Sequence, residues 1–136
     1  MKFDTKIAVA VREDLAVWQK LNITAFTISG IAATVHGMTG EPYEDASGNR
    51  YLPMLVQPVL MFAANSSDLR AAYERAMAAN AKLAIYTEEL FATGFDVANR
   101  AAVKAIAAGD LNLVGFALRD ERKTVDKILK GLKLHA

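Results

Sequence analysis

The chain reads as an α/β protein of three layers, with helices on both faces of a roughly four-stranded mixed sheet. Two observations predict this. Residues 7–11 (I-A-V-A-V) are continuously apolar and partly β-branched, the mark of a strand buried on both faces. Strand-like runs then alternate with helical-period segments in the order β-α-(loop)-β-α-β-α-β-α. The 136 residues suit one domain, 1–136, and a 53% apolar content is enough for a core without staples.

Residues 7–11 form the first strand. Arg12, Glu13 and Asp14 end it, and Asp14 is placed as the N-cap of the next helix. Leu15, Trp18, Leu21, Ala25, Ile28, Ala32 and Val35 recur at helical spacing. Ile23, Phe26 and Ile31 lie off that stripe, so this helix is apolar nearly all round. It belongs between protein surfaces, inside the fold or at a subunit contact. Residues 36–53 hold Gly37, Gly40, Gly48, Pro42 and Pro53, and are expected to form a loop or hairpin insertion with Tyr43 and Tyr51 on its arms. Loops of that length often act as lids or contact arms.

Residues 55–63 read as the second strand. Pro58 has no N–H to donate, which places this strand at an edge or gives it a bulge. Ser66 or Ser67 is expected to cap a helix over 68–80 whose stripe is Leu69, Ala72, Tyr73, Ala76 and Met77. Residues 83–86 are the third strand, and 87–96 are irregular or one helical turn. Asp96 is expected to cap a helix over 97–107 ended by Gly109, and 111–118 form the fourth strand. Asp120 is expected to cap the last helix, with Val125, Ile128, Leu129 and Leu132 facing inward.

Composition excludes much chemistry. Without cysteine there is no disulfide, thiolate zinc site, iron–sulfur cluster or cysteine nucleophile. The two histidines, His36 and His135, leave little for a histidine metal cage; His36 reads as a helix-end residue and His135 as a mobile terminal one. There is no P-loop, G-x-G-x-x-G, G-x-S-x-G or H-E-x-x-H. No metal or cofactor is expected. The first 14 residues are too charged for a signal peptide, and 18–35 carry Lys20 and Asn22, so a soluble cytoplasmic protein without a membrane partner is expected. The net charge is +1, although 119–136 hold six Lys or Arg against three acids. Helix-end preference and an Asp126–Lys130 pair account for that basic stretch, and nucleic acid is disfavoured as a partner.

Val9-Ala10-Val11-Arg12-Glu13-Asp14-Leu15 resembles the opening V-V-R-x-D-L strand of the type II peptidyl-tRNA hydrolases. Asp126-Lys127-Ile128 with Leu132-Lys133-Leu134 resembles their D-K-V…L-K-L ending. The resemblance implies their fold. The middle departs from the enzymes. Residues 18–26 have no counterpart of the family's helix glutamine and histidine, although Lys20 matches the family lysine with a one-residue shift. Where the enzymes carry a D-A-G-x-T-Q loop, this chain has Thr87 at the aspartate position and Glu89 at the glycine position. W-Q-K-L-N, D-A-S-G-N-x-Y-L-P, Y-T-E-E-L-F and N-R-A-A-V look instead like an uncharacterised branch of the superfamily, domain of unknown function 2000.

In open α/β sheets, ligands sit beyond the carboxyl ends of parallel strands. Lys20 and Asn22 follow the first strand; Thr87, Glu88, Glu89 and Thr93 follow the third. Lys20, in the first turns of an otherwise apolar helix, is suited to a phosphate or carboxylate. Lys20, Thr87 and Glu88 are the candidates for chemistry; Asn22, Glu89, Thr93 and Arg100 are candidates for binding. Arg12 and Asp14 share a face if extended and are read as an ion pair that fixes the turn. The expectation is a peptidyl-tRNA-hydrolase-like protein that does not hydrolyse peptidyl-tRNA. It would hold a small anionic ligand or a partner in a pocket made by Lys20, Asn22, Thr87, Glu88 and the Tyr43–Tyr51 loop. The alternatives are a divergent ester hydrolase and a non-catalytic homodimeric module.

Overall fold

Five consecutive residues of the first strand, Ile7 to Val11, are wholly buried, and the fold is arranged around them. The computed structural model describes residues 2–136. In chain order the elements are β1 (Thr5–Arg12), α1 (Val17–Thr34), β2 (Tyr43–Glu44), β3 (Arg50–Tyr51), β4 (Val59–Ala64), α2 (Ser66–Ala78), β5 (Leu83–Thr87), α3 (Asp96–Lys104), β6 (Leu113–Glu121), α4 (Arg122–Ile128) and β7 (Lys133–Leu134). Two 3-10 turns, Glu88–Phe91 and Ala108–Asp110, follow β5 and α3. Among the described residues the main sheet has five strands in the order β5-β6-β1-β4-β7. β1 and β4 are parallel; β6 runs antiparallel to both β1 and β5, and β7 antiparallel to β4. The carboxyl ends of β1, β4 and β5 therefore share one edge.

Helix α1 covers one face of the sheet, setting Ile23 and Ile31 against Ile7, Val9, Val11, Val114 and Ala117. Helices α2 and α4 cover the other, setting Leu69, Ala72, Tyr73, Val125 and Ile128 against Ala8, Ala10, Phe116 and Leu118. Each large side chain so buried contributes about 1.5–3 kcal/mol. Gly115 permits the close approach of α1: a Cβ there would lie 2.6 Å from Ile23 Cγ2 and 3.0 Å from the Ala10 carbonyl. Tyr86 pairs with Gly115 but Thr87 pairs with Leu113, so Val114 is an inserted bulge residue. The bulge turns Val114 to the α1 face and leaves Leu113 in the opposite core.

Several elements differ from the sequence expectation. The sheet has five strands, because β7 is too short to leave a hydrophobic period. β4 begins after Pro58 and is flanked by β1 and β7, so it is neither an edge nor broken by the proline. Asn65, not Ser66 or Ser67, caps α2, accepting from the Asp68 N–H at 2.7 Å. Ala16 precedes α1, its N–H donating to Gln19 Oε1, while Asp14 is engaged by Arg12. Phe95 and Glu121, not Asp96 and Asp120, occupy the N-cap positions of α3 and α4. Asp126 pairs with Lys6 across the fold rather than with Lys130. The hairpin is as expected: Tyr43 lies directly opposite Tyr51.

Candidate ligand-binding sites

At the carboxyl edge of the sheet, Arg12 ends β1 with its side chain mostly covered. Its Nε donates to Asp14 Oδ1 at 2.6 Å, and its Nη1 lies 4.0 Å from Glu88 Oε2. Glu88 also accepts from Asn112 Nδ2, and its own N–H donates to the Asn112 carbonyl. The Arg12 hydrogen bond holds the Asp14 carboxyl below its ordinary value, and the Lys20 charge adds to this. One guanidinium thus stands between two carboxylates, and this cluster ties β1, β5 and β6 together. Thr87 is 1% exposed and belongs to the interior. Glu88 and Glu89 open the 3-10 turn, where acidic side chains suit free N–H groups.

Lys20 points elsewhere. Its Nζ lies 3.1 Å from His135 Nε2. His135 is held in place: its backbone N–H donates to the Met61 carbonyl at 2.8 Å, extending the pairing of β7 with β4. An ammonium only donates, so Nε2 accepts and Nδ1 carries the hydrogen, which it donates to the main-chain oxygen of Ala136 at 2.8 Å. The pair lines a groove of about 360 Å³ together with Val17, Leu21, Thr24, Met61 and Ala136.

Asn22 and Thr93 meet in a separate cleft of about 260 Å³ between α1 and the segment that leads into α3. Arg100 is exposed and donates to Asp96 at 2.9 Å, one turn earlier on α3. The seven predicted residues therefore divide. Lys20 lines the groove; Asn22 and Thr93 line the cleft; Glu88 belongs to the Arg12 cluster; Thr87 is interior; Glu89 and Arg100 are on the surface. The Tyr43–Tyr51 arm borders neither cavity. His135, which sequence reasoning set aside, is the addition. Its only signal was the L-K-L ending just before it. Among the described residues, no three His, Asp or Glu side chains gather as a metal site needs, and no helix is long and apolar enough to cross a membrane.

This five-stranded mixed sheet between helices, with open cavities along α1, defines a small α/β protein. The chain belongs to the family described as Protein of unknown function (DUF2000), which it matches over residues 5–136. It is similar to the solved structure of a protein of unknown function from Agrobacterium tumefaciens strain C58. The two are 50% identical, with a TM-score of 0.96, over 99% of this chain and 100% of that one. No curated protein matches the chain.

Proposed function

We propose that this protein is a non-hydrolytic relative of the type II peptidyl-tRNA hydrolases that binds a small anion with an apolar body at Lys20. The Lys20–His135 contact in a groove lined by Val17, Leu21 and Met61 carries this reading. His135 takes one of the three ammonium donors, leaving two for a carboxylate or phosphate. Val17 and Leu21 beside it are 73% and 66% exposed, and covering them contributes about 25 cal/mol per Å² of apolar area. The residues at the family's loop positions argue against its hydrolysis, since Thr87 is interior and Glu88 is bound by Asn112 and Arg12.

The test uses octanoate as probe, titrated into uniformly ¹⁵N-labelled protein. Saturable amide shifts at Leu21, Thr24, Met61 and His135, lost in Lys20→Met, support the reading. No shifts, or equal binding by octylamine, contradict it. Turnover of N-acetylaminoacyl-tRNA that disappears in Lys20→Met with the fold intact favours the divergent hydrolase, for which His135 supplies the imidazole that α1 lacks.

A second reading, the homodimer, rests on the arm. Tyr43, Tyr51, Leu52 and Met54 are each at least half exposed. A two-stranded hairpin is marginal in water unless it packs on something, and a second copy would supply that surface. A monomer by sedimentation at micromolar concentration contradicts this reading.

A further inference from the structure

The cleft on the other flank of α1 has a chemistry of its own. Trp18, Asn22 and Phe26 follow one another at four-residue spacing and so form a single row along the helix. Tyr86, Leu90 and Phe91 line the cleft with them, as do Thr93, Phe95 and Asn99 from the segment that leads into α3 and from α3 itself. Four of the rings are locked in a chain. Trp18 meets Phe91 edge-on at 5.7 Å, Phe91 tilts against Tyr86 at 5.1 Å, and Tyr86 meets Phe26 edge-on at 5.8 Å. Such contacts fix ring positions in advance. Yet Trp18, Phe26 and Phe95 remain more than half exposed.

Two of the polar groups are side-chain amides, Asn22 on α1 and Asn99 on α3. The single hydroxyl hydrogen of Thr93 faces both the Leu90 carbonyl and the Asn99 amide, and the Thr93–Asn99 contact holds that amide in the cleft lining. Among the described residues, the Asn22 side-chain amide makes no hydrogen bond to protein. Asp96 is the charged group in the lining, and its carboxylate accepts from Arg100. The lining holds no cationic side chain, so nothing in the cleft selects for an anion, and a quaternary cation offers the two amides neither donor nor acceptor. Its volume, about 260 Å³, falls just under the range of about 300–1,000 Å³ usual for drug-sized ligands.

We infer that this cleft binds an uncharged, planar nitrogen heterocycle of one or two rings, with aromatic walls covering its faces and Asn22 and Asn99 reading its in-plane edge. Flat π-faces are what aromatic walls complement. An amide, which both donates and accepts, matches a ring edge that carries an N–H beside a bare nitrogen. An aliphatic body would leave both amides unpaired, and an anion would meet no cation. This site is independent of the Lys20 groove and does not rest on the proposed function.

Trp18 is the single tryptophan, so fluorescence excited at long wavelength reports the cleft directly. Benzimidazole is the probe, indene its carbon isostere, and benzyltrimethylammonium the cationic comparison. The expected result is saturable quenching by benzimidazole, at least tenfold weaker binding by indene and by the cation, and at least tenfold weaker benzimidazole binding in Asn22→Leu. Asn22 is exposed, so this variant should melt as the parent does; Asn99→Leu gives a second reading from α3. The absence of saturable quenching, or indene or the cation binding as tightly as benzimidazole, overturns the inference. So does unchanged benzimidazole affinity in both amide variants.

Discussion

Lys20 and His135 are 115 residues apart in sequence and 3.1 Å apart in space. The contact exists because β7 pairs antiparallel with β4 and carries His135 onto the Met61 carbonyl, beneath the first turns of α1. Both partners reach solvent, so the contact itself contributes little to stability. His135→Ala should therefore change the unfolding free energy by less than about 0.5 kcal/mol, while weakening octanoate binding several-fold. Denaturant melts and the titration, run on the same variant, check both halves.

Gly115 and Ile23 set the distance between α1 and the sheet. Gly115→Ala places a methyl 2.6 Å from Ile23 Cγ2 and 3.0 Å from backbone, and should cost about 1–3 kcal/mol. Gly94 has nothing within 4 Å of a built Cβ, so Gly94→Ala should stay within about 0.5 kcal/mol. Urea midpoints at unchanged slope measure the contrast.

Arg75 fastens α2 to the end of α4. Its Nε donates to the Ile128 carbonyl at 2.9 Å and its Nη2 to the Lys130 carbonyl at 3.0 Å. Arg75→Met keeps the stem but removes both bonds, and should cost about 1–3 kcal/mol. Amide exchange should speed up first over α4 and β7, since the freed carbonyls lie at the end of α4 and in the turn that leads to β7. Unchanged exchange there would contradict this role for Arg75.

Asp45 organises the tip of the β2–β3 hairpin. It accepts from the Tyr51 hydroxyl at 2.7 Å, from the Ser47 and Asn49 N–H groups, and from Asn49 Nδ2. These bonds, the Tyr51 bond foremost, hold its carboxyl at about 2 instead of 3.8. A depressed carboxyl stabilises its local structure above its ordinary value, and that contribution fades as pH falls from 3.8 through about 2. The amide signals of Ser47 and Asn49 should move across that window, and Asp45→Ala should abolish the movement. The Tyr51 phenol is raised by the same bond, so its deprotonation should shift downward in the same variant.

Much of the fold was legible because its signals are local. The run at 7–11, the alternation of strands and helices, the tyrosine arms and the Arg12–Asp14 pair all follow from short-range patterns. The site was not legible in the same way. Lys20 and Asn22 are two positions apart on a helix, so they face different cavities on its two flanks. Thr87 alternates inward from a strand end, next to a bulge that no pattern announces. β7 offers two residues and no periodicity, so its register, and with it the placing of His135, depends on pairing across the sheet. The sequence of α1 is apolar nearly all round and so predicts cover on its outer side, yet Val17, Trp18 and Leu21 remain exposed within this chain.

The most direct test of the account is the octanoate titration of the parent and Lys20→Met proteins by ¹⁵N amide shifts. The account predicts saturable shifts around Leu21, Thr24, Met61 and His135 in the parent and their loss in Lys20→Met, with the melt unchanged. Identical titrations of the two proteins, or shifts that avoid the groove, would contradict it.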